Sequence, residues 1–197
     1  VNTPDKAGPY QDTVRRGVAY ILAHAGQDGD MRGDGNMYDQ GITSLALGEA
    51  AAMTRGKNAA KLRAAAHRAA QFIVDAQNGR GGWRYSPRDL FSDTSVMGWQ
   101  VLAMHSATRT GFTIPSETSR KAFAYLDSVS TGEHDMLTGY ITAIPSATMT
   151  AEATFTRMLL GEELTPEQLS ETSQYILHKL PSKDNLNYYY IYYGSLA

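Results

Sequence analysis

The chain has 197 residues, a formal net charge of −2, and 42% hydrophobic against 19% charged residues. That length can bury one sizeable core, and positive residues scattered over a near-neutral chain exclude the basic field that a nucleic-acid backbone requires. Zero cysteines exclude disulfides, thiolate metal sites and cysteine nucleophiles, and no run approaches the ~20 apolar residues of a membrane span.

No basic, apolar and small-residue series marks a signal peptide. Absence of cysteine fits the cytoplasm and an exported compartment equally, so location stays open. The first periodic stretch is "VRRGVAYILAHA", in which Val14, Val18, Ile21 and Leu22 share one face of an amphipathic helix. The loop "DGDMRGDGNMYD" follows. Its Asp28, Asp30, Gly33, Asp34 and Asp39 imitate part of an EF-hand, but Arg32 stands where an oxygen ligand belongs and Asp39 replaces the bidentate glutamate, so a solvated connector is expected.

From about Asp39, "DQGITSLALGEAAAMT" is small and apolar nearly all round, which suits burial on both sides. The alternation then repeats. Amphipathic "KNAAKLRAAAHRAAQFIVDAQ" precedes drier "DTSVMGWQVLAMHSA"; "PSETSRKAFAYLDSV" precedes "MTAEATFTRMLLG"; "TPEQLSETSQYILHKL" precedes "NLNYYYIYYGSLA". No stretch shows sustained period-2 patterning, so the fold is expected to be all-α, one domain over 1–197. The final "YYGSLA" has neither a capping glycine nor a polar tail, and reads as the end of a fragment of something longer.

Tyr20, Phe72, Tyr125 and Tyr175 recur on the amphipathic helices at intervals of 52, 53 and 50 residues, the mark of a duplicated hairpin. On the drier helices Asp39, Asp93 and Thr150 are expected to be N-caps. Between the second pair, "AQNGRGGW" places Gln77 at a helix end, then Gly79, Gly81 and Gly82, then Trp83. The glycines permit a tight turn, the amide can bond backbone groups, and a buried indole would make the loop a clasp between hairpins.

Arg68, Ala69, Phe72, Ile73, Gln77, Gly81 and Trp83 together resemble the QW repeat of squalene and oxidosqualene cyclases. The first repeat keeps Arg16, Gly17, Tyr20, Ile21 and Gly29, with Ala25 for the glutamine and Met31 for the tryptophan. The third has Ser130 and Tyr140. The resemblance implies an α/α toroid, as in those cyclases, prenyltransferase β subunits and thioester domains, with inner and outer helices around a cavity. Four pairs would form a partial ring, against roughly five to seven in closed ones, leaving a gap for further chain or for a second copy, a homo-oligomer.

In the cyclases the reaction acid is an Asp-X-Asp-Asp-Thr-Ala cluster. The matching "LFSDTS" retains Asp93 and Thr94 but carries Leu90 and Ser92 in place of the other aspartates. The prenyltransferase zinc site and the thioester both need a cysteine, and His24, His67, His105, His134 and His178 show no paired spacing, so no metal and no cofactor is expected. "NGRGG" lacks a phosphate loop's lysine, and no nucleophile elbow occurs. Two readings remain. One is a binding or scaffolding module whose cavity is lined by Trp99, Gln100, Phe155, Arg157 and Tyr190 and takes an apolar or polymeric ligand; Gln100 and Arg157, seven residues after their helix starts, should point the same way. The other is an enzyme acting on polysaccharide or terpenoid with carboxylates Asp39, Asp93 and Glu152, and it fails if all three cap their own helices.

Overall fold

The computed structural model describes residues 3–182 and 186–197. Asn185, first residue of the fourth dry segment, lies outside them. Among the described residues the chain forms α1 (Gln11–His24), α2 (Met37–Met53), α3 (Ala59–Ala76), α4 (Thr94–Thr108), α5 (Ser116–Ser128), α6 (Ala147–Leu159), α7 (Pro166–Leu177) and α8 (Tyr188–Gly194). A single 3-10 turn spans Gly56–Asn58, and an antiparallel hairpin pairs β1 (Ser130–Thr131) with β2 (Leu137–Thr138). The protein is all-α apart from that hairpin, which the sequence pattern did not announce because two residues per strand are too few to show a period.

The even-numbered helices form one row, α2 against α4, α4 against α6 and α6 against α8, and α3 and α7 flank it. Composition explains the division. α4 buries residues on nearly every side, Val96, Met97, Val101 and Met104 among them, whereas α7 fully buries only Thr172. The helices of the row are parallel. Gly41 abuts Trp99 and Gln100 while Gly48 abuts Ser106; Gly98 abuts Glu152 while His105 bonds the Leu159 carbonyl seven residues farther along. A side chain at any of these glycines would force the helices apart, so the row depends on their absence of Cβ.

The loops from α1 to α2, from α3 to α4 and from α5 to α6 each hook onto the next helix on the flank, α3, α5 and α7. Gly29, Gly81 and Gly132 have φ of 94°, 93° and 110°, a region closed to most residues. A Cβ on them would strike the Arg68 carbonyl, the Lys121 carbonyl and the Glu171 carboxylate respectively. In the second loop Gln77 donates to the Gly81 and Thr118 carbonyls at 2.8 and 3.0 Å, and Trp83, 1% exposed, donates its indole N–H to the Ile73 carbonyl at 2.7 Å. The clasp expected from the sequence is present there.

The other two loops reach the same end differently. Ala25 has no amide to offer, and Gln40 of α2 substitutes: its Oε1 accepts from the Met31 amide at 2.7 Å and its Nε2 donates to the Gly29 and Ala69 carbonyls. In the third loop the Glu171 carboxylate receives the amides of Glu133, His134 and Met136. Tyr140, matched to the tryptophan in the sequence, takes no part in that clasp; its hydroxyl bonds Asp93 and Tyr85.

Two of the three expected N-caps are corrected. Asn36 caps α2, and Asp39 completes a capping box by accepting from the Asn36 amide at 2.9 Å. Ser146 caps α6, while Thr150 accepts from the Thr138 amide. Asp93 is the N-cap of α4, holding the Val96 amide at 2.7 Å. The capping box explains the first miss: both Asn and Asp satisfy first-turn amides, and only the backbone tells which residue is half outside the helix.

Candidate functional site

The parallel row brings the N-terminal ends of its helices together, and polar side chains meet there. Tyr38 of α2 donates to Ser95 Oγ of α4 at 2.8 Å, Ser95 donates to the Tyr189 hydroxyl of α8 at 2.8 Å, and Tyr189 donates to Glu152 Oε1 of α6 at 2.9 Å. Every helix of the row thus contributes one group to one directed chain of hydrogen bonds. Tyr38 and Ser95 each donate once, and the single Tyr189 proton is shared between Glu152 and the more distant Ser95 carbonyl at 3.2 Å.

Beside it, Tyr85 and Tyr140 share a hydroxyl contact of 2.9 Å, and Tyr140 donates to Asp93 Oδ2 at 3.1 Å. Arg84 lies 3.7 Å from the same oxygen with its guanidinium over the Tyr85 ring. The Tyr38 and Tyr85 rings are 6.2 Å apart. Tyr85 and Tyr140 are exposed, Tyr38 is half-buried, and Asp93 is fully covered. The result is a rim of aromatic faces and hydroxyls over a hidden carboxylate.

Burial sets the acidities. Desolvation pushes Asp93 up, partly offset by the Val96 amide and the Tyr140 hydroxyl. It pushes Glu152 well above the usual carboxylate range, with Tyr189 and Tyr193 opposing and Asp93 reinforcing. Tyr38 rises to about 12, again through burial. Tyr189 and Tyr193 are raised for the same reason, with the nearby Glu152 adding to it.

The expected ligand set disperses. Gln100 is fully buried and donates to the Met37 carbonyl at 2.7 Å; Arg157 binds Asp127 at 2.6 Å and Glu162 at 2.9 Å. The two therefore serve different neighbours, because α6 starts at Ser146 and not at Thr150, which sets Arg157 about one turn farther along its helix than Gln100 is along α4. Tyr190 turns toward α7 and donates to the Ile176 carbonyl. Trp99 stacks on Tyr192 at 5.9 Å and meets Tyr193 edge-on, and Phe155 lies 6.5 Å from Tyr193. Surface cavities of about 590, 520 and 440 Å³ lie elsewhere, and of the expected set only Arg157 lines one of them.

Of the three expected carboxylates, Asp93 caps its own helix, Asp39 sits in the first turn of its own and closes the capping box, and Glu152 does neither. In the acidic loop, Asp30 is held by Arg32 at 2.7 Å, which keeps its carboxyl below the usual range. Among the described residues no cluster of three His, Asp or Glu side chains is placed to hold a metal.

The sequence reading passed over Tyr38, Ser95, Tyr85 and Arg84, and placed Tyr189 in the cavity lining only as one of the tyrosines from Tyr188 to Tyr193. One signal could have found Tyr38, Ser95 and Tyr189: each stands two residues after its helix cap, Asn36, Asp93 or Asn187. Comparison of the chain with protein-family models, with curated proteins and with solved structures gave no match in any of the three.

Proposed function

We propose that the chain is an arc of an α/α toroid resembling the squalene cyclases and prenyltransferases, and that it is a binding module for a hydroxyl-rich polymer, a saccharide chain, at the tyrosine rim. The parallel row, the flanking helices and the recurring glycine clasps support the architecture. One observation carries the ligand class: Tyr38, Tyr85 and Tyr140 present rings and hydroxyls together over the buried Asp93. Flat faces stack on sugar rings, and fixed hydroxyls exchange hydrogen bonds with sugar hydroxyls.

Loss of cyclase chemistry agrees with the positions that replace its aspartates. Leu90 is 81% exposed, and Ser92 is committed to Asn78 at 3.0 Å. The experiment is affinity electrophoresis of the purified chain through gels containing neutral or acidic polysaccharides. Retardation by at least one polymer, reduced about tenfold or more by Tyr85→Ala with Tyr140→Ala, supports the module. No retardation by any polymer, or a cyclised product formed from a polyprenyl substrate, overturns it.

A second reading rests on Glu152, a buried acid that caps nothing and is linked by Tyr189 and Ser95 to Tyr38. On that reading the chain cleaves the polymer, and Glu152→Gln abolishes the appearance of new chain ends while leaving retardation intact. An arc also has two uncovered edges. A second copy closing them predicts a dimer by sedimentation.

A further inference from the structure

Glu152 is 0% exposed, and only one of its oxygens has a donor, the Tyr189 hydroxyl. Oε2 has no partner among the described residues, and neither does the Tyr193 hydroxyl, which bears on the same carboxyl. Gly98 closes another side so tightly that a Cβ there would overlap the carboxyl. A carboxylate in a dry site with one oxygen unpartnered is disfavoured, because removing an ion from water costs several kcal/mol that the tyrosine hydroxyls offset only in part. Burial therefore favours the neutral acid and raises its pKa.

The groups facing it from each packed element do not change this. From α4 come Ser95, Gly98 and, at its cap, Asp93, whose charge repels a second anion. From α8 come Tyr189 and Tyr193, and Tyr38 of α2 acts through Ser95. α7 and β2 face α6 with Thr172 and Thr138, which do not titrate. No Lys, Arg or His among the described residues is within ion-pair distance of Glu152.

We propose that α8 is a latch whose closed position requires the proton on Glu152: when it leaves, the buried charge, with Oε2 unpartnered and no cation beside it, draws in water, and α8 lifts from α4 and α6. α8 is the element that yields because it has seven residues and joins the row through tyrosines, whereas α2, α4 and α6 interlock through glycines. Its departure uncovers Trp99 and Phe155, the aromatic faces that Tyr192 and Tyr193 now cover. The latch does not depend on what the rim binds.

The two tryptophans make it measurable, since Trp83 is sealed in a clasp and Trp99 sits under α8. In Trp83→Phe, acrylamide quenching of Trp99 is followed from about pH 6 to about pH 9, below ordinary tyrosine ionisation. Quenching is expected to rise in one transition, and Glu152→Gln is expected to abolish it. In the unsubstituted chain, hydrogen exchange of the α8 amides, corrected for the intrinsic rate, should lose protection by about tenfold per pH unit within the transition; this arm stands even where Trp83→Phe misfolds. Constant protection across the range, or the same transition in Glu152→Gln, overturns the latch.

Discussion

The second clasp and the tyrosine end of the row are built from similar materials, aromatic rings and polar side chains, and they end in opposite states. At the clasp the Gln77 amide hydrogens and the Trp83 N–H are both taken up by carbonyls in a closed site. At the tyrosine end Glu152 Oε2, the Tyr193 hydroxyl and Arg84 Nε are covered without hydrogen-bond partners among the described residues, while Tyr85 and Tyr140 face outward. Satisfied polar groups fix a fold; unsatisfied ones leave free energy that a ligand or a proton can use.

The contrast breaks most visibly at Trp83. Trp83→Ala removes a fully buried indole and its hydrogen bond, and is expected to cost about 3–5 kcal/mol in chemical denaturation. Gln40→Ala tests whether the first clasp depends on its substitute amide; it strands the Met31 amide and two carbonyls, and about 2–3 kcal/mol should be lost. A loss below about 0.5 kcal/mol would show that water replaces the amide.

Glu152→Gln should act in the reverse direction. A carboxyl whose folded pKa is raised stabilises the fold at acid pH, and that stability falls as pH climbs from the unfolded glutamate range, about 4.3, toward the folded value. The substitution should remove a slope of up to about 1.4 kcal/mol per pH unit, leaving the variant more stable than the parent above neutrality. Denaturation series at several pH values measure it. Smallest of all, Tyr85→Phe removes one exposed hydroxyl and should change stability by less than about 0.5 kcal/mol while weakening polymer retardation.

The second clasp was legible because glutamine, glycine and tryptophan stand in order within seven residues. The first was not, since its amide arrives from Gln40, fifteen residues beyond Ala25 and on another helix. Amphipathic periodicity disclosed the helix pairs, yet the tyrosine end stayed hidden. It depends on which residue caps each helix, and Asp39 and Thr150 drew attention from Asn36 and Ser146. Glu152 stood out as a carboxylate, but its isolation comes from Gly98 and from tyrosines on α8, which no local pattern ties to it.

The hooks formed by Gly29, Gly81 and Gly132 reach forward 39, 40 and 39 residues to Arg68, Lys121 and Glu171. Between hook and catch the helix shortens from 17 to 15 to 13 residues, and the intervening coil lengthens to compensate. Because the joint keeps one span whatever lies inside it, a block of about fifty residues duplicated in frame is expected to meet a hook and a catch at the same spacing. The reach of such a molecule is then set by copy number.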